Sequence, residues 1–303
     1  MKDPLAHLPW GAAENFLGLP AAEAPGFDDA GVLILPVPYE ATVSYGGGTR
    51  NGPRGIIHAS RYVELYDHEL DAEPYTIGVH TLPELHLTGA GPEAALGQLR
   101  EAMDALTATG KFVILLGGEH SLTAPPVLAH AARRPKGKRL SVLQLDAHAD
   151  LRPEYEGTAF SHASVMHRVH EAADIVSLGI RSLTAAERAL MRQRKIPAIF
   201  GHELEETTTI DRVLGALGGD VYITIDVDFF DPAIMPSTGT PEPGGGWWHP
   251  TVKLLERVFR ERTVVGCDVV ELAPLPGLAG PDFLAAKLVY KLIGFHAQAR
   301  TAQ

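Results

Sequence analysis

A single cysteine, Cys267, stands in 303 residues, so no intramolecular disulfide is possible and a reducing compartment is expected. It lies in the apolar run Thr263–Val270, where a lone thiol reads as a small buried hydrophobe rather than a nucleophile. No stretch approaches the roughly 18 consecutive apolar residues that a membrane-spanning helix needs. Residues 1–20 lack a basic segment followed by an apolar core, so no signal peptide is read and a cytoplasmic location is expected. Positive charge is scarce too. The formal net charge of −11 argues against nucleic acid or an anionic membrane surface as a partner and suits a cationic substrate. Internal repeats, low-complexity tracts and a clear linker are also missing. Length alone suggests about two domains, but the unbroken pattern favours one domain over residues 1–303, with residues 1–29, which show no periodicity, as an N-terminal arm.

Hydrophobic residues make up 45% of the chain and charged residues 21%, the balance of a globular enzyme. Short Val/Ile/Leu-rich runs recur at residues 31–36, Phe112–Gly117, Leu140–Leu145, 174–179, 221–225 and Thr263–Val270. Continuous apolar runs of that length suit strands buried on both faces. Between them, apolar residues recur at helical spacing over 93–106, 184–194 and 251–260. Strand and helix in alternation predict an α/β fold with a mainly parallel sheet covered by helices.

Carboxylates at strand ends are the most informative feature. Asp146, His148 and Asp150 close the run beginning at Leu143, and Asp226 and Asp228 close the run beginning at Val221. Alternate residues of an extended chain face one way, so each set converges. Unpaired carboxylates beside an apolar core are costly, and metal is the simplest compensation. Gly117-Gly118-Glu119-His120 and Glu271 also follow apolar runs, and ligands of open α/β sheets bind at the carboxyl ends of strands. The candidate ligands are His120, Asp146, His148, Asp150, Asp226 and Asp228. Four carboxylates and two imidazoles favour Mn²⁺ or a similar borderline-hard ion. Two such ions about 4 Å apart lower the pKa of a shared water. Glycine-rich residues 45–54 lack a phosphate-loop ending and read as a structural loop near the cleft, with Pro53 opening a helix. The Pro/Gly-rich residues 236–246 are expected close to the site.

At these motifs the chain resembles the ureohydrolase family of arginases, agmatinases and their relatives. The resemblance rests on Gly117-Gly118-Glu119-His120, Asp146-Ala147-His148-Ala149-Asp150, Asp226-Val227-Asp228-Phe229-Phe230-Asp231-Pro232, Pro236-Ser237-Thr238-Gly239-Thr240-Pro241-Glu242-Pro243-Gly244-Gly245 and Val270-Glu271-Leu272-Ala273-Pro274. Their order and spacing agree over about residues 36–292. It implies a three-layer α/β/α fold, two Mn²⁺ ions per subunit and a homotrimer or homohexamer. One ion would be held by His120, Asp146, Asp150 and Asp226, the other by Asp146, His148, Asp226 and Asp228. Glu271 would pair with a guanidinium, Asp150 would orient the attacking water, and His162 would carry protons to the leaving amine. Many members have Asp where this chain has Glu119.

The resemblance implies hydrolysis of a guanidino group to urea and an amine. Residues 155–160 and Gly179-Ile180-Arg181-Ser182-Leu183-Thr184 lack the polar loop and the two aspartates of arginases. Agmatine, a dication without a carboxylate, is therefore the expected substrate, with N1-aminopropylagmatine next. Guanidinobutyrate would need a cation such as Arg50 or Arg152, and arginine and formimidoylglutamate are more distant alternatives. A metal-binding relative without turnover would have lost a ligand, Glu271 or His162, and all are present. Trp247 and Trp248 are expected to pack rather than to wall the substrate chain.

Overall fold

The computed structural model describes residues 14–20 and 22–301. Among the described residues eight strands form one sheet: β1 (Val32–Val37), β2 (Val79–Thr81), β3 (Phe112–Gly117), β4 (Leu140–Leu145), β5 (Ala173–Ile180), β6 (Ala198–Phe200), β7 (Asp220–Asp226) and β8 (Thr263–Val270). Their order is β2-β1-β3-β8-β7-β4-β5-β6, and every pairing is parallel. The expected runs became strands because both faces of each are covered: β1, β3 and β4 are buried at every position.

Helices α1 (Gly52–Ser60), α2 (Pro92–Ala108), α3 (Ala124–Ala132), α4 (Val165–Val169), α5 (Ala185–Arg194), α6 (Thr209–Ala216), α7 (Trp248–Glu261) and α8 (Ala279–Thr301) supply the outer layers. Ile56, Val213, Leu255 and Leu288, from α1, α6, α7 and α8, share one apolar cluster with Ile34, Ile114, Leu143, Ile223 and Val269. On the other face, Leu99 of α2 packs with Leu33 and Leu115, while Val127 of α3, Val165 of α4 and Met191 of α5 pack with Val142 and Ile175. Neighbouring strand residues thus serve opposite layers, as a pleat requires. The expected α/β/α sandwich with a parallel sheet is what forms. Cys267 is fully buried in the first cluster.

The helix expected at residue 184 starts one residue later because Thr184 caps it. Its hydroxyl accepts from the Glu187 N–H, and the Glu187 carboxylate accepts from the Thr184 N–H in return. Residues 1–13 of the expected arm lie outside the described residues. Phe16, Leu17 and Leu19 pack into the chain's own core, with the Phe16 N–H donating to Thr81 Oγ1 and the Leu17 N–H to Ser60 Oγ. Among the described residues no helix is long and apolar enough to cross a membrane.

Candidate active site

The four strands at the centre of the sheet are β3, β8, β7 and β4, and their carboxyl ends carry the whole candidate set. His120 follows β3, Glu271 follows β8, Asp226 ends β7 with Asp228 just beyond, and Asp146, His148 and Asp150 follow β4. Strand β3 reaches this close because its Gly117 has no side chain. A Cβ there would lie 2.6 Å from Val270 Cγ1, and one on Gly118 would lie 1.8 Å from the Tyr39 carbonyl oxygen.

His120 Nδ1 lies 3.2 Å from Asp146 Oδ2, 3.0 Å from Asp150 Oδ2 and 3.4 Å from Asp226 Oδ2. It is buried, yet no hydrogen bond is aligned on it. A nitrogen lone pair and three carboxylate oxygens aimed at one point form a cation's ligand set. His120, Asp146 and Asp226 form one such group, and Asp146, His148 and Asp228 a second that shares Asp146. His148 Nδ1 is 2.8 Å from Asp228 Oδ2. Asp226 falls in the first group only, and its Oδ1 accepts from the Asp228 N–H.

Electrostatics point the same way. Burial, Asp150 and Asp228 push the Asp146 carboxyl up to about 7. Burial, Asp228 and Asp146 push that of Asp226 well above its usual range. Burial would lower His148, but Asp228 and Asp146 carry it up to about 10. Burial likewise opposes the charge on His120, and Asp146 and Asp150 overcome it, holding the imidazole well above its ordinary value. Burial would also raise Asp228, but the His148 partner takes it below the carboxylate range. Carboxylates competing for protons this strongly are short of positive charge, so the donors fit divalent cations.

Glu271 is buried beside the cluster, and burial raises its carboxyl to about 8. Its Oε1 accepts from the His120 N–H at 2.6 Å. Both Asp150 (φ 51°) and Glu271 (φ 64°) adopt the left-handed backbone region. That conformation costs a non-glycine residue about 1–3 kcal/mol and concentrates at functional sites. The cluster opens into a cleft of about 330 Å³ whose walls include Ser44, Tyr45, Tyr155, His162, Glu187 and Glu242. His162 faces this cleft rather than the ligand groups, with Nε2 2.9 Å from Ser44 Oγ. Loop residues 45 and 46 line the same space, as do Gly239 and Thr240 from the Pro/Gly segment.

Arg152 lines the cleft, stacked over the Tyr155 ring at 4.8 Å, whereas Arg50 is tied to Glu40 by its backbone N–H and guanidinium and points elsewhere. Trp248 packs against the core and Trp247 is 47% exposed, and neither reaches the cleft.

One part of the site was not read from the sequence. His120 Nε2 is 2.9 Å from Thr224 Oγ1, which donates to Asp268 Oδ1 at 2.6 Å, and Tyr222 OH donates to Asp268 Oδ2 at 2.9 Å. All four side chains are buried. Since the threonine hydrogen goes to Asp268, the hydroxyl accepts from Nε2–H and leaves the Nδ1 lone pair for the ligand group. The available signal was a charged residue, Asp268, inside an otherwise apolar strand. Thr224→Val is expected to weaken divalent-cation affinity by roughly 10–100-fold, read by calorimetric titration with Mn²⁺. Unchanged affinity would reduce the chain to a packing detail.

Comparisons with known proteins agree with this geometry. The model of the Arginase family matches residues 30–294. The chain belongs to the arginase family. It is 42% identical over 271 residues to an N(1)-aminopropylagmatine ureohydrolase of Thermus thermophilus, covering 88% of this chain and 91% of the relative. With the agmatinase of Pyrococcus horikoshii it shares 35% identity over 283 residues, or 89% of this chain and 93% of the other. The crystal structure of the agmatine ureohydrolase of Thermoplasma volcanium superposes with a TM-score of 0.85 at 29% identity, each chain covered to 97%. This arginase-family chain is thus an enzyme of the ureohydrolase type.

Proposed function

We propose that the chain hydrolyses agmatine to putrescine and urea, as a single ureohydrolase domain holding two Mn²⁺ ions and acting in the cytoplasm. The carrying observation is the convergence of His120, Asp146, His148, Asp150, Asp226 and Asp228 beside a buried Glu271 at one cleft. His120, Asp146, Asp150 and Asp226 would hold one ion, and Asp146, His148, Asp226 and Asp228 the other. Bound there, the pair supplies a water acidic enough to lose a proton near neutral pH.

The chain's own residues do the rest. Glu271 pairs with the guanidinium, whose planar donors match a carboxylate. Asp150 accepts a hydrogen bond from the attacking water and so aims it at the guanidinium carbon. Water oxygen bonds to that carbon and passes its remaining hydrogen to Asp150. The bond to the alkyl-bearing nitrogen breaks as that hydrogen moves on to the nitrogen, and His162 gives the departing amine its further proton. Urea and a primary amine result. Glu242 in the cleft wall suits the second cationic end of agmatine, whereas Glu187 is engaged by the Thr184 and Leu151 N–H groups and by Arg152 at 4.0 Å. A homotrimer or homohexamer belongs to the same proposal.

A second reading has its own support: the Thermus relative at 42% identity and a Synechocystis relative at 36% both carry the name N(1)-aminopropylagmatine ureohydrolase. Urea release from the Mn²⁺-loaded enzyme separates the readings when agmatine, N1-aminopropylagmatine, arginine and guanidinobutyrate are compared. Agmatine is expected to give the highest kcat/KM, and a preference for the aminopropyl compound moves the assignment to the second reading. Preference for arginine would overturn the substrate argument, and absence of urea from all four would overturn the reaction.

A further inference from the structure

Glu119 is fully buried and is not among the candidate ligands, although it precedes His120. Its Oε2 accepts from the backbone N–H groups of Ala41 and Thr42 at 2.6 and 2.7 Å. Its Oε1 accepts from Thr42 Oγ1 at 2.8 Å and Ser121 Oγ at 2.6 Å. The Thr42 hydroxyl in turn meets His162 twice: the His162 backbone N–H donates to it at 3.1 Å, and Nδ1 lies 3.3 Å away. Ser44 Oγ, two residues further along the loop, is 2.9 Å from Nε2.

A hydroxyl has one hydrogen and two lone pairs. Thr42 gives its hydrogen to the carboxylate, the closer and charged acceptor, and one lone pair takes the His162 N–H. The remaining lone pair faces Nδ1, so Nδ1 must carry a hydrogen there. A bare Nδ1 would set lone pair against lone pair, and turning the threonine hydrogen toward it would set oxygen lone pairs against the Glu119 carboxylate.

We propose that Glu119, acting through Thr42, holds His162 with its hydrogen on Nδ1 and so makes Nε2 the nitrogen that exchanges protons with the substrate. Nδ1–H stays bonded to Thr42 whether the ring is neutral or charged, and each proton given up or taken passes at Nε2. Ser44 donates to Nε2 in the neutral ring and turns to accept from it in the charged one. Glu119 and Thr42 are positioning residues. The length of the side chain is part of the proposal: one methylene shorter, an aspartate is expected to hold fewer of the four donors that Glu119 accepts from. The tautomer rests on this geometry, and its consequence for turnover rests on the reading of His162 as proton carrier.

The test is ¹⁵N NMR of histidine-labelled protein, with the His162 ring signals identified by their loss in His162→Asn. In the unaltered chain the neutral ring is expected as the Nδ1–H tautomer. Thr42→Val is expected to shift it toward Nε2–H and to lower kcat about tenfold with KM changed less than twofold, less than the roughly 10²–10⁴-fold of a whole general acid or base because the ring itself remains. Thr42→Ser is expected to restore both. Glu119→Asp, which leaves the hydroxyl in place, is expected to give a mixture of tautomers. An Nε2–H ring in the unaltered chain, or a Thr42→Val protein that keeps Nδ1–H, would overturn the proposal. Because the spectra are taken without substrate, failure to release urea would count against the proposed reaction and not against this tautomer.

Discussion

Asp226→Asn is expected to lower urea release by about a thousandfold and yet to raise the melting temperature of the metal-depleted protein. The two effects share one cause. Asp226 is a ligand in the first group and sits against His120 Nδ1 at 3.4 Å. Losing it should exceed the roughly 10–100-fold effect of an outer-shell change. Without cations, however, the same carboxylate is buried beside Asp228 and Asp146, which push its pKa well up. An amide keeps the shape and removes the repulsion.

The same charges set a pH dependence. An unfolded Asp releases its proton near pH 4, whereas folded Asp146 does so at about 7. Between those values the folded state binds more protons than the unfolded state, so stability falls as pH rises. Glu271, raised to about 8, and His148, raised to about 10, extend the loss to higher pH with the same sign. The opposite contribution of Asp228, whose pKa is lowered, lies in the acid range below this window. That of His130 and His296, each lowered to about 4 by burial, is complete near pH 6.5 and is outweighed by the cluster. Thermal denaturation of chelator-treated protein should therefore show a melting temperature lower at pH 8 than at pH 5, with the gap narrowed by Mn²⁺ and by Asp226→Asn. A gap that ignores both would remove the electrostatic account of the cluster.

Lys291→Met is expected to destabilise the fold by about 3–5 kcal/mol, the range for stranding a buried charge. Lys291 is 1% exposed on α8, its Nζ 2.7 Å from Asp67 Oδ1 and 2.5 Å from Glu69 Oε2. Burial would raise the Asp67 carboxyl, but the Lys291 ammonium overcomes it and holds the group below the ordinary range. Methionine fills the space of the lysine stem and, among the described residues, leaves Asp67 only Lys287, 3.8 Å away, for charge. Adding Asp67→Leu should recover part of the loss, as apolar replacement of a buried pair can be near neutral. Recovery stays incomplete because Asp67 Oδ1 also accepts from the Glu69 and Leu70 N–H groups. Urea denaturation midpoints measure all three proteins, and a Lys291→Met loss below about 1 kcal/mol would show the charge to be solvated after all.

Strands and ligands were legible in the chain for the same reason: each is written in a contiguous stretch. Phe112–Gly117, Leu140–Leu145 and Thr263–Val270 read as buried strands and are strands at those bounds. The edges β2 and β6, three residues each, are too short to carry a pattern. Helix α8 was not read because residues 288–295 are buried on every side, which erases the one-sided stripe that marks a surface helix. In the site, the Asp-x-His-x-Asp and Asp-x-Asp spacings announced themselves. Thr224 with Asp268, and Thr42 with Glu119, did not. Those partners sit on different strands and loops, 44 and 77 residues apart, and meet only through the sheet order.

That sheet order also divides the molecule by mobility. The four strands bearing the cluster and Glu271 lie at the middle of the sheet, where backbone amides should exchange with solvent only on global unfolding. Much of the cleft wall, including Ser44, Tyr45, Tyr155, Gly239 and Glu242, belongs to irregular segments that can open locally. The ligand cluster thus sits in the rigid part of the protein and most of the cleft wall in the looser part, with His162 on the loop side and Glu271 on the sheet side. Loop exchange between relatives could then alter which guanidino compound is accepted while the reaction centre stays in register.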